Sequence, residues 1–259
     1  MKKYINSLYK TFNNIFETFL DFIYPENITC IICNKPVKKN NTYSMCKNCF
    51  DELHFILDGC RKCGKPIINH SLEKQDIEGC SYCFNKNFYF DKAISCIEYN
   101  DMSKKMVLSL KYNNKTYMSK YIASIMKDKL EIENINFDYI LFVPLHKIRL
   151  RRRGFNQSEK IAVYLGKITK KPVINIIDRK KYTKKLYKLN KKEREKELKE
   201  AFSLKDNGSI KNKNVIVVDD IFTTGTTVNE ISKLLKNHGV SQVFIITLLT
   251  KNIDTYVKA

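Results

Sequence analysis

The stretch NVIVVDDIFTTGTT, residues 214–227, places two adjacent carboxylates directly before a loop built from threonine and glycine. The apolar run before the acids is typical of a buried strand, and the residues after the loop have the spacing of a helix. Backbone N–H groups at the start of a helix, with threonine hydroxyls beside them, can bind a phosphate group. The residues of this predicted phosphate loop are Thr223, Thr224, Gly225, Thr226 and Thr227.

The two acids, Asp219 and Asp220, would repel a phosphate, so we expect them to contact another part of the same ligand. Carboxylates accept hydrogen bonds from neighbouring hydroxyl groups. A ribose 5-phosphate meets both requirements, with its phosphate in the threonine loop and its 2- and 3-hydroxyls on the acids. The chain contains no G-x-x-x-x-G-K-[ST] and no G-x-G-x-x-G motif, which excludes a P-loop and a dinucleotide-binding turn.

Eight of the nine cysteines form four C-x-x-C pairs, a spacing that suits zinc. Each pair offers two thiolates from one tight turn, and a structural zinc site takes four ligands in a tetrahedron. We therefore predict two zinc sites, with sequential pairing of the turns as the simplest arrangement and interleaved pairing as the alternative. His54 and His70 lie among the turns and are alternative ligands, and Cys96 is expected to be a buried thiol. The predicted ligands are Cys30, Cys33, Cys46, Cys49, Cys60, Cys63, Cys80 and Cys83.

The formal net charge is +20, which attracts phosphate-bearing partners such as nucleotides, nucleic acid or anionic lipid. A lysine-rich genome bias is the alternative source of this charge. The arginines are more informative, because Arg149, Arg151, Arg152 and Arg153 lie together in a chain that otherwise favours lysine. Such a cluster indicates bidentate recognition of phosphate.

The elements that must position these residues alternate between short apolar runs and longer helical patterns. Strands are predicted at residues 91–99, 139–144, 172–176, 214–218 and 242–249, and helices at 104–110, 118–130, 157–168 and 226–237. This alternation favours an α/β fold with a parallel sheet covered on both faces. Ligands of such sheets bind beyond the carboxyl ends of the strands, where the acids and the threonine loop are expected.

Composition divides the chain into two predicted domains, residues 1–88 and 89–259. The first holds an amphipathic N-terminal helix and the four cysteine turns, and it has few apolar residues. Metal binding would therefore supply about 10 kcal/mol of folding free energy per site. No apolar run reaches the length of a membrane span and nothing directs export, so we expect a cytoplasmic protein without stable membrane association.

Two motifs resemble known families. VIVVDDIFTTGTT is similar to the motif of type I phosphoribosyltransferases, which bind phosphoribosyl pyrophosphate (PRPP) through two acids and a loop of this kind. VPLHKIRLRRRGFNQSEKIA, residues 143–162, closely resembles the ComF family, and FIYPENITC, SLKYNNKTYMSKYIA and RKKYTKKLYKLNKKEREKELKEAF fit that family in order. Leu186 and Glu197, in the last of these segments, depart from the pattern, where Gln and Asn are expected.

This resemblance implies a type I phosphoribosyltransferase-like sheet flanked by helices, with a small N-terminal double zinc ribbon. It also implies that Asp219 and Asp220 are the catalytic acids and that Mg²⁺ bridges the pyrophosphate and ribose oxygens of PRPP. Lys111 and Tyr112 are weaker candidates for the same site, and Asn156 and Gln157 are expected to cap the following helix. The resemblance assigns pyrophosphate binding to Leu145, His146, Arg151, Arg152 and Arg153.

The ComF resemblance further implies a role in natural competence and DNA uptake, with PRPP, single-stranded DNA and competence helicase or DNA-processing proteins as partners. Three functions stay open: a phosphoribosyltransferase acting on an unidentified acceptor, a PRPP sensor without turnover, and a zinc-ribbon interaction protein. Basic residues interleaved with aromatics in RKKYTKKLYK suit single-stranded DNA. The alternative for this segment is a solvated helix with Tyr182 and Tyr187 packed beneath it.

Overall fold

The computed structural model describes residues 28–38, 40–67, 80–112, 115–182, 198, 200–205 and 210–251. The chain divides into two compact units, Met1–Glu52 and Leu53–Ala259. The predicted N-terminal helix, His70, and the segment with Leu186, Tyr187 and Glu197 lie outside the described residues.

The described part of the first unit is a small cysteine-centred fold. A bridge between Thr29 and Pro36 closes the first cysteine turn. A short 3-10 turn at Thr42–Ser44 and helix α1 at Lys47–Asp51 follow. The apolar side chains buried here are Cys30, Ile31, Met45 and Cys49, so apolar burial in this part of the structure is small. A fold with so little apolar core depends on other interactions, such as metal ligation, for its stability.

The second unit contains a parallel four-stranded sheet in the order β1–β6–β5–β2. A separate antiparallel pair is formed by β3 and β4. The four central residues of the apolar run in β5, Val215–Val218, are all fully buried, as expected for a strand covered on both faces. The predicted α/β class is confirmed. The strands are β1 (Lys92–Glu98), β2 (Tyr139–Phe142), β3 (Ile177–Arg179), β4 (Phe202–Leu204), β5 (Asn214–Phe222) and β6 (Gln242–Thr250).

The described part of the second unit has five further helices. They are α2 (Asp101–Tyr112), α3 (Met118–Ile132), α4 (Lys147–Arg153), α5 (Gln157–Thr169) and α6 (Thr226–Asn237). Helix α5 packs on β2 and β5, and α3 packs on α5. Helix α6 lies against β6 and β4, and its buried residues Val228, Ile231 and Leu235 join the core under the sheet. Of the predicted helices, 226–237 has the observed bounds, because Gly225 and Gly239 both take left-handed conformations next to its ends.

The second group of cysteines is part of the core of the second unit. Cys60, Cys63, Cys80 and Cys83 are each at most 3% exposed and belong to the same apolar cluster as residues of β5, β6 and α6. The Ala93 N–H of β1 donates to the Lys62 carbonyl oxygen at 2.9 Å. Gly64, with φ +68, lies so close that a Cβ there would stand 2.5 Å from the Ala93 carbonyl oxygen. The amino-acid composition changes near residue 88, whereas the boundary between the two compact units lies between Glu52 and Leu53.

Several predicted elements differ from the structure. Residues 172–176 do not form a full strand, since Val173 makes only an isolated parallel bridge to Ile140. The helix predicted at 104–110 is longer and begins at Asp101. Helix α4 and the β3–β4 pair had no predicted counterpart. Cys96 is buried as predicted, and this burial raises the pKa of its thiol to about 12. Within the described ranges, no helix is long and apolar enough to cross a bilayer.

Candidate functional site

Asp219 and Asp220 lie inside β5, and not beyond its end as predicted. The strand continues because its pairing with β6 continues, with Asp219 opposite Thr247 and Phe222 opposite Thr250. Strand β2 stops earlier, where Phe142 pairs with Val218. The acids therefore stand on the part of β5 that extends past β2, at the carboxyl edge of the parallel strands.

The Asp220 carboxylate is buried and held by partners from two helices. The residue is 6% exposed. Its Oδ2 forms an ion pair with Lys111 of α2 and accepts a hydrogen bond from Gln157 Nε2 of α5 at 3.3 Å. Gln157 Oε1 in turn accepts a hydrogen bond from Arg153. A buried charge requires such partners, and here they form a continuous chain from the arginine cluster to the acid pair.

Asp219 keeps part of its surface exposed and has different partners. Its Oδ1 accepts hydrogen bonds from the Ser158 hydroxyl at 3.1 Å and from the Asp220 N–H at 2.9 Å. Burial raises the pKa of the Asp219 carboxyl to about 7, and the neighbouring Asp220 charge adds to this rise. The two hydrogen bonds and Lys111 oppose it. The two acids are therefore in different environments, and Asp219 titrates near neutral pH.

The first turn of α5 is fixed to the end of β2, which places its side chains on the acids. Asn156 Nδ2 donates to the Val143 carbonyl oxygen at 3.0 Å, and Asn156 Oδ1 accepts from the Ser158 N–H at 3.1 Å. Asn156 is thus the N-cap of the helix, as predicted. Gln157 does not cap the helix with its side chain but contacts Asp220, which differs from the prediction.

The threonine loop connects β5 to α6 through a left-handed backbone position that favours glycine. Gly225 has φ +74 and is the N-cap residue of α6. A Cβ there would lie 2.7 Å from Phe222 Cζ, so the aromatic ring fills the space behind the loop. The hydroxyls of Thr224 and Thr226 lie 2.8 Å apart on the loop itself. The first N–H groups of a helix have no partner within the helix, so the start of α6 can accept an anion.

The connection from β2 to α4 contains the other predicted ligand contacts. Leu145 and His146 are both partly exposed. His146 caps α4, and its Nδ1 accepts a hydrogen bond from the Ile148 N–H at 3.3 Å. In the neutral ring the proton is therefore on Nε2, which can donate to a ligand.

The three predicted arginines of α4 differ in their surroundings. Arg153 is partly buried and contacts Gln157, whereas Arg151 and Arg152 are exposed. The described contacts thus connect Arg153 with the acids and leave Arg151 and Arg152 at the surface. Tyr182, 53% exposed, lies beside this helix, with its ring centre 5.5 Å from the Arg149 guanidinium and 5.3 Å from the His146 ring.

The eight predicted metal ligands form two groups of four in sequential order. Within each group the sulfur atoms lie within 4.8 Å of one another. The Sγ–Sγ distance is 3.7 Å for Cys33 and Cys46. In the second group it is 3.6 Å for Cys60 and Cys83 and 3.8 Å for Cys80 and Cys83. A tetrahedron with Zn–S bonds of about 2.3 Å has edges of about 3.8 Å, so both groups fit zinc.

Sequential pairing is therefore the arrangement that the structure adopts, and the interleaved alternative is wrong. His54 is not a member of either group, and its Nδ1 lies 3.9 Å from Glu98 Oε2. We refer to Cys60, Cys63, Cys80 and Cys83 as the second tetrad.

Ser158 was not predicted as a contact of the acid pair, and Lys111 was predicted only as a weaker candidate. The position of Ser158 in the sequence could have predicted this contact. The first turn of a helix that follows a parallel strand lies at the carboxyl edge of the sheet, so its polar residues lie near the ligand site. The contact of Lys111 with Asp220 was hard to predict, because the two residues lie far apart in the chain.

Comparison with known proteins agrees with this architecture. The model of the phosphoribosyl transferase domain family matches residues 144–259, and that of the double zinc ribbon domain family matches residues 19–92. Solved phosphoribosyltransferases also match about half of the chain, for example adenine phosphoribosyltransferase from Leishmania tarentolae (15% identity, TM-score 0.35, 55% of this chain and 74% of that one). That similarity is too low to add to the family assignment.

Three relatives match over most of their length. Competence protein F of Haemophilus influenzae is 29% identical over 84% of this chain and 88% of its own. DNA utilization protein YhgH of Escherichia coli K12 is 26% identical over 83% of this chain and 93% of its own. Competence protein ComFC of Bacillus subtilis is 24% identical over 82% and 90%. With both domains in order and competence protein F and ComFC as relatives along most of its length, the resemblance of the chain to the ComF family is confirmed.

Proposed function

We propose that this protein binds PRPP together with Mg²⁺ at the carboxyl edge of β2 and β5 and transfers its phosphoribosyl group to an acceptor. The observation that supports this proposal is the continuity of β5 with α6. The strand carries the acid pair past the end of β2 and leads through the threonine loop directly into the Gly225-capped helix. One short segment therefore offers carboxylates for a sugar and N–H groups for its phosphate.

In this proposal the two acids have different tasks. The partly exposed Asp219 accepts hydrogen bonds from the ribose hydroxyls, and its oxygens are of the kind that Mg²⁺ prefers. Asp220 is buried, so it acts mainly by holding Lys111 and Gln157 at the site. The 5-phosphate binds the N–H groups at the start of α6 and the hydroxyls of the loop.

The pyrophosphate group of PRPP would lie at the connection from β2 to α4. There the His146 Nε2–H and the backbone of Leu145 can donate hydrogen bonds to phosphate oxygens. Arg153 adds a positive charge that is already oriented by Gln157. When Mg²⁺ is bound, it would supply further charge neutralisation for the pyrophosphate oxygens.

The reaction would break the bond between C1 of the ribose and the pyrophosphate oxygen, which leaves with the bonding electron pair. A lone pair of the acceptor forms the new bond to C1. Positive charge develops on the sugar ring in between, and the negative charge of the nearby acids stabilises it. The contribution of the protein is to hold the reactants in place and to neutralise charge.

Calorimetric titration of the zinc-loaded protein with PRPP and Mg²⁺ tests this proposal. We expect binding by the native chain and its loss in Asp219→Asn/Asp220→Asn with the circular dichroism spectrum unchanged. The matched control is Asp51→Asn/Asp58→Asn, because both residues are exposed and lie outside the site. Equal PRPP affinity in the native chain and the Asp219→Asn/Asp220→Asn variant would contradict the assignment. Release of pyrophosphate separates an enzyme from the alternative, a PRPP sensor without turnover.

We also propose that the protein binds single-stranded DNA, in keeping with the names of its competence and DNA utilization relatives. The observation that favours this second function is the exposed Tyr182 ring beside Arg149, with Arg151 and Arg152 exposed on the same short helix. Aromatic rings can stack on bases while arginines contact the phosphate backbone. A DNA-processing protein would then be the natural partner during uptake, in the cytoplasm.

A further inference from the structure

The back of the threonine loop is covered by residues that lie close in the chain to Cys80 and Cys83 of the second tetrad. Tyr82 stands between Cys80 and Cys83, and its hydroxyl donates to the Thr223 carbonyl oxygen at 3.4 Å. Phe88 follows the same turn and lies behind Gly225, where a Cβ would come within 3.3 Å of its ring. The start and the middle of the loop thus lie against the segment that carries the last two cysteines.

A buried lysine joins the second tetrad to the two strands behind the loop. Lys65 follows Cys63 by two residues and is fully buried. Its Nζ donates to Thr250 Oγ1 at 3.4 Å and to the Lys251 carbonyl oxygen, both at the end of β6. Thr250 Oγ1 donates in turn to the Phe222 carbonyl oxygen at 3.2 Å, immediately before the loop.

The same lysine also lies against the aromatic rings that support the loop. Its Nζ is 4.5 Å from the centre of the Tyr82 ring and 5.9 Å from that of Phe222. The Phe222 ring packs edge-on against Phe90 and Phe88. Lys65 and Tyr82 therefore connect three features: the cysteine turns, the ends of β5 and β6, and the backbone of the threonine loop.

The positions of both residues depend on the cysteine turns, because each lies within two residues of a ligand. An anion-binding loop needs N–H groups that are ordered before the ligand arrives. When the four sulfurs are held together, Tyr82 and Lys65 are held against the loop. When they separate, the loop loses these contacts.

We propose that Tyr82 and Lys65 are positioning residues through which zinc in the second tetrad raises the affinity of the threonine loop for a ribose 5-phosphate ligand. This inference rests on the proposed PRPP site. Coupling between two sites is reciprocal in binding free energy, so PRPP must raise the zinc affinity of this tetrad by the factor by which zinc raises the PRPP affinity.

The first test is the titration of Tyr82→Phe with PRPP and Mg²⁺. This change removes one hydroxyl and keeps the ring, so zinc content and thermal stability should stay close to those of the native chain. We expect PRPP affinity to fall about threefold, as for the loss of one hydrogen bond. Lys65→Met should lower it more, by about tenfold. The matched control Tyr89→Phe changes an exposed tyrosine near the same segment and should leave affinity unchanged.

The second test measures the equilibrium partition of zinc between the protein and a coloured chelator, with and without PRPP and Mg²⁺. In Cys30→Ser/Cys33→Ser, which disrupts the other cysteine group, the remaining protein-bound zinc reports the second tetrad. We expect PRPP to raise the zinc affinity of this tetrad at least threefold, and Tyr82→Phe to reduce that ratio. A purely structural role of Tyr82 would change the zinc affinity equally with and without PRPP. Asp219→Asn/Asp220→Asn added to the same background controls for zinc chelation by PRPP itself.

The outcomes separate this inference from the proposed function. PRPP binding with an unchanged zinc affinity would overturn the coupling and leave the PRPP site standing. Equal PRPP affinity of the native chain and Tyr82→Phe would show that Tyr82 does not contribute to the coupling between zinc and PRPP. Failure of the native chain to bind PRPP would overturn the proposed function, and the coupling with it.

Discussion

Lys111 of α2 forms an ion pair with Asp220 of β5, and this contact joins the first helix after β1 to the acid pair. Both side chains are largely buried, at 18% and 9% exposure. The pair is therefore little screened by water, and removal of one partner leaves the other charge uncompensated.

Replacement of Lys111 by methionine should lower the free energy of unfolding by about 2 to 4 kcal/mol, because the Asp220 carboxylate stays buried without its cation. Addition of Asp220→Asn should recover part of the loss, and denaturant unfolding of both variants measures it. Lys127→Met is the control, since it breaks an exposed pair with Glu131 and should have no measurable effect. Equal stability of Lys111→Met and the native chain would show that the pair does not persist in solution.

The raised pKa of Asp219 predicts a pH dependence of stability. The folded protein holds the Asp219 proton more tightly than the unfolded chain, in which the carboxyl has its ordinary pKa of 3.8. Between about pH 4 and pH 7 the folded state therefore binds more protons, and stability falls as pH rises. Asp219→Asn removes this fall and should be more stable than the native chain at pH 8, by on the order of 1 to 3 kcal/mol.

Thermal unfolding of the zinc-loaded native chain and Asp219→Asn at pH 5 and pH 8 measures this difference. The gain from Asp219→Asn should be larger at pH 8. A gain of the same size at both values would mean that Asp219 titrates at its ordinary pKa.

Elemental analysis should find two zinc ions per chain, one in each cysteine group. Cys30→Ser/Cys33→Ser should remove one zinc and leave the unfolding transition of the second unit in place. Cys60→Ser/Cys63→Ser should remove the other and destabilise that unit strongly, because its four cysteines belong to the core under the sheet. Equal effects of the two double variants on that transition would contradict this difference.

The threonine loop should be sensitive to any side chain at Gly225. Gly225→Ala introduces a Cβ at positive φ and within 2.7 Å of Phe222, so we expect a loss of about 2 to 4 kcal/mol in unfolding free energy. Gly154→Ala is a matched control, since Gly154 also has positive φ but no atom within 4 Å of the added Cβ. It should cost only about 1 kcal/mol. Denaturant unfolding distinguishes the two, and equal losses would mean that Phe222 moves aside at little cost.

The exposed arginines of α4 should contribute to DNA binding through the phosphate backbone. Arg151→Ala/Arg152→Ala should weaken single-stranded DNA binding and reduce the slope of log affinity against log salt by about 1.4, for two lost phosphate contacts. Fluorescence anisotropy at several salt concentrations measures this slope. Lys104→Ala/Lys105→Ala removes two exposed charges from α2 and should leave the slope nearly unchanged. If both variants lose affinity equally, binding follows net charge and not this helix.

The sequence by itself determined those features that depend on neighbouring residues. The C-x-x-C turns, the apolar run before Asp219 and the helix between Gly225 and Gly239 are all local patterns, and each was predicted at its observed place. Alternation of strands and helices was enough to predict the parallel sheet. Local hydrogen bonds and side-chain spacing decide such elements, so they can be read from short stretches of chain.

The tertiary structure alone decided the features that depend on distant contacts. The strand β5 runs through the acids because β6 pairs with it there, and the same pairing extends to Thr250. Lys111 reaches Asp220 only after the chain has folded around the sheet. The second tetrad belongs to the core beneath β5 and β6 because its four cysteines are buried in one apolar cluster with residues of those strands. Hydrogen bonds and buried contacts between distant segments carry little signal in the local sequence, and so they could not be predicted from it.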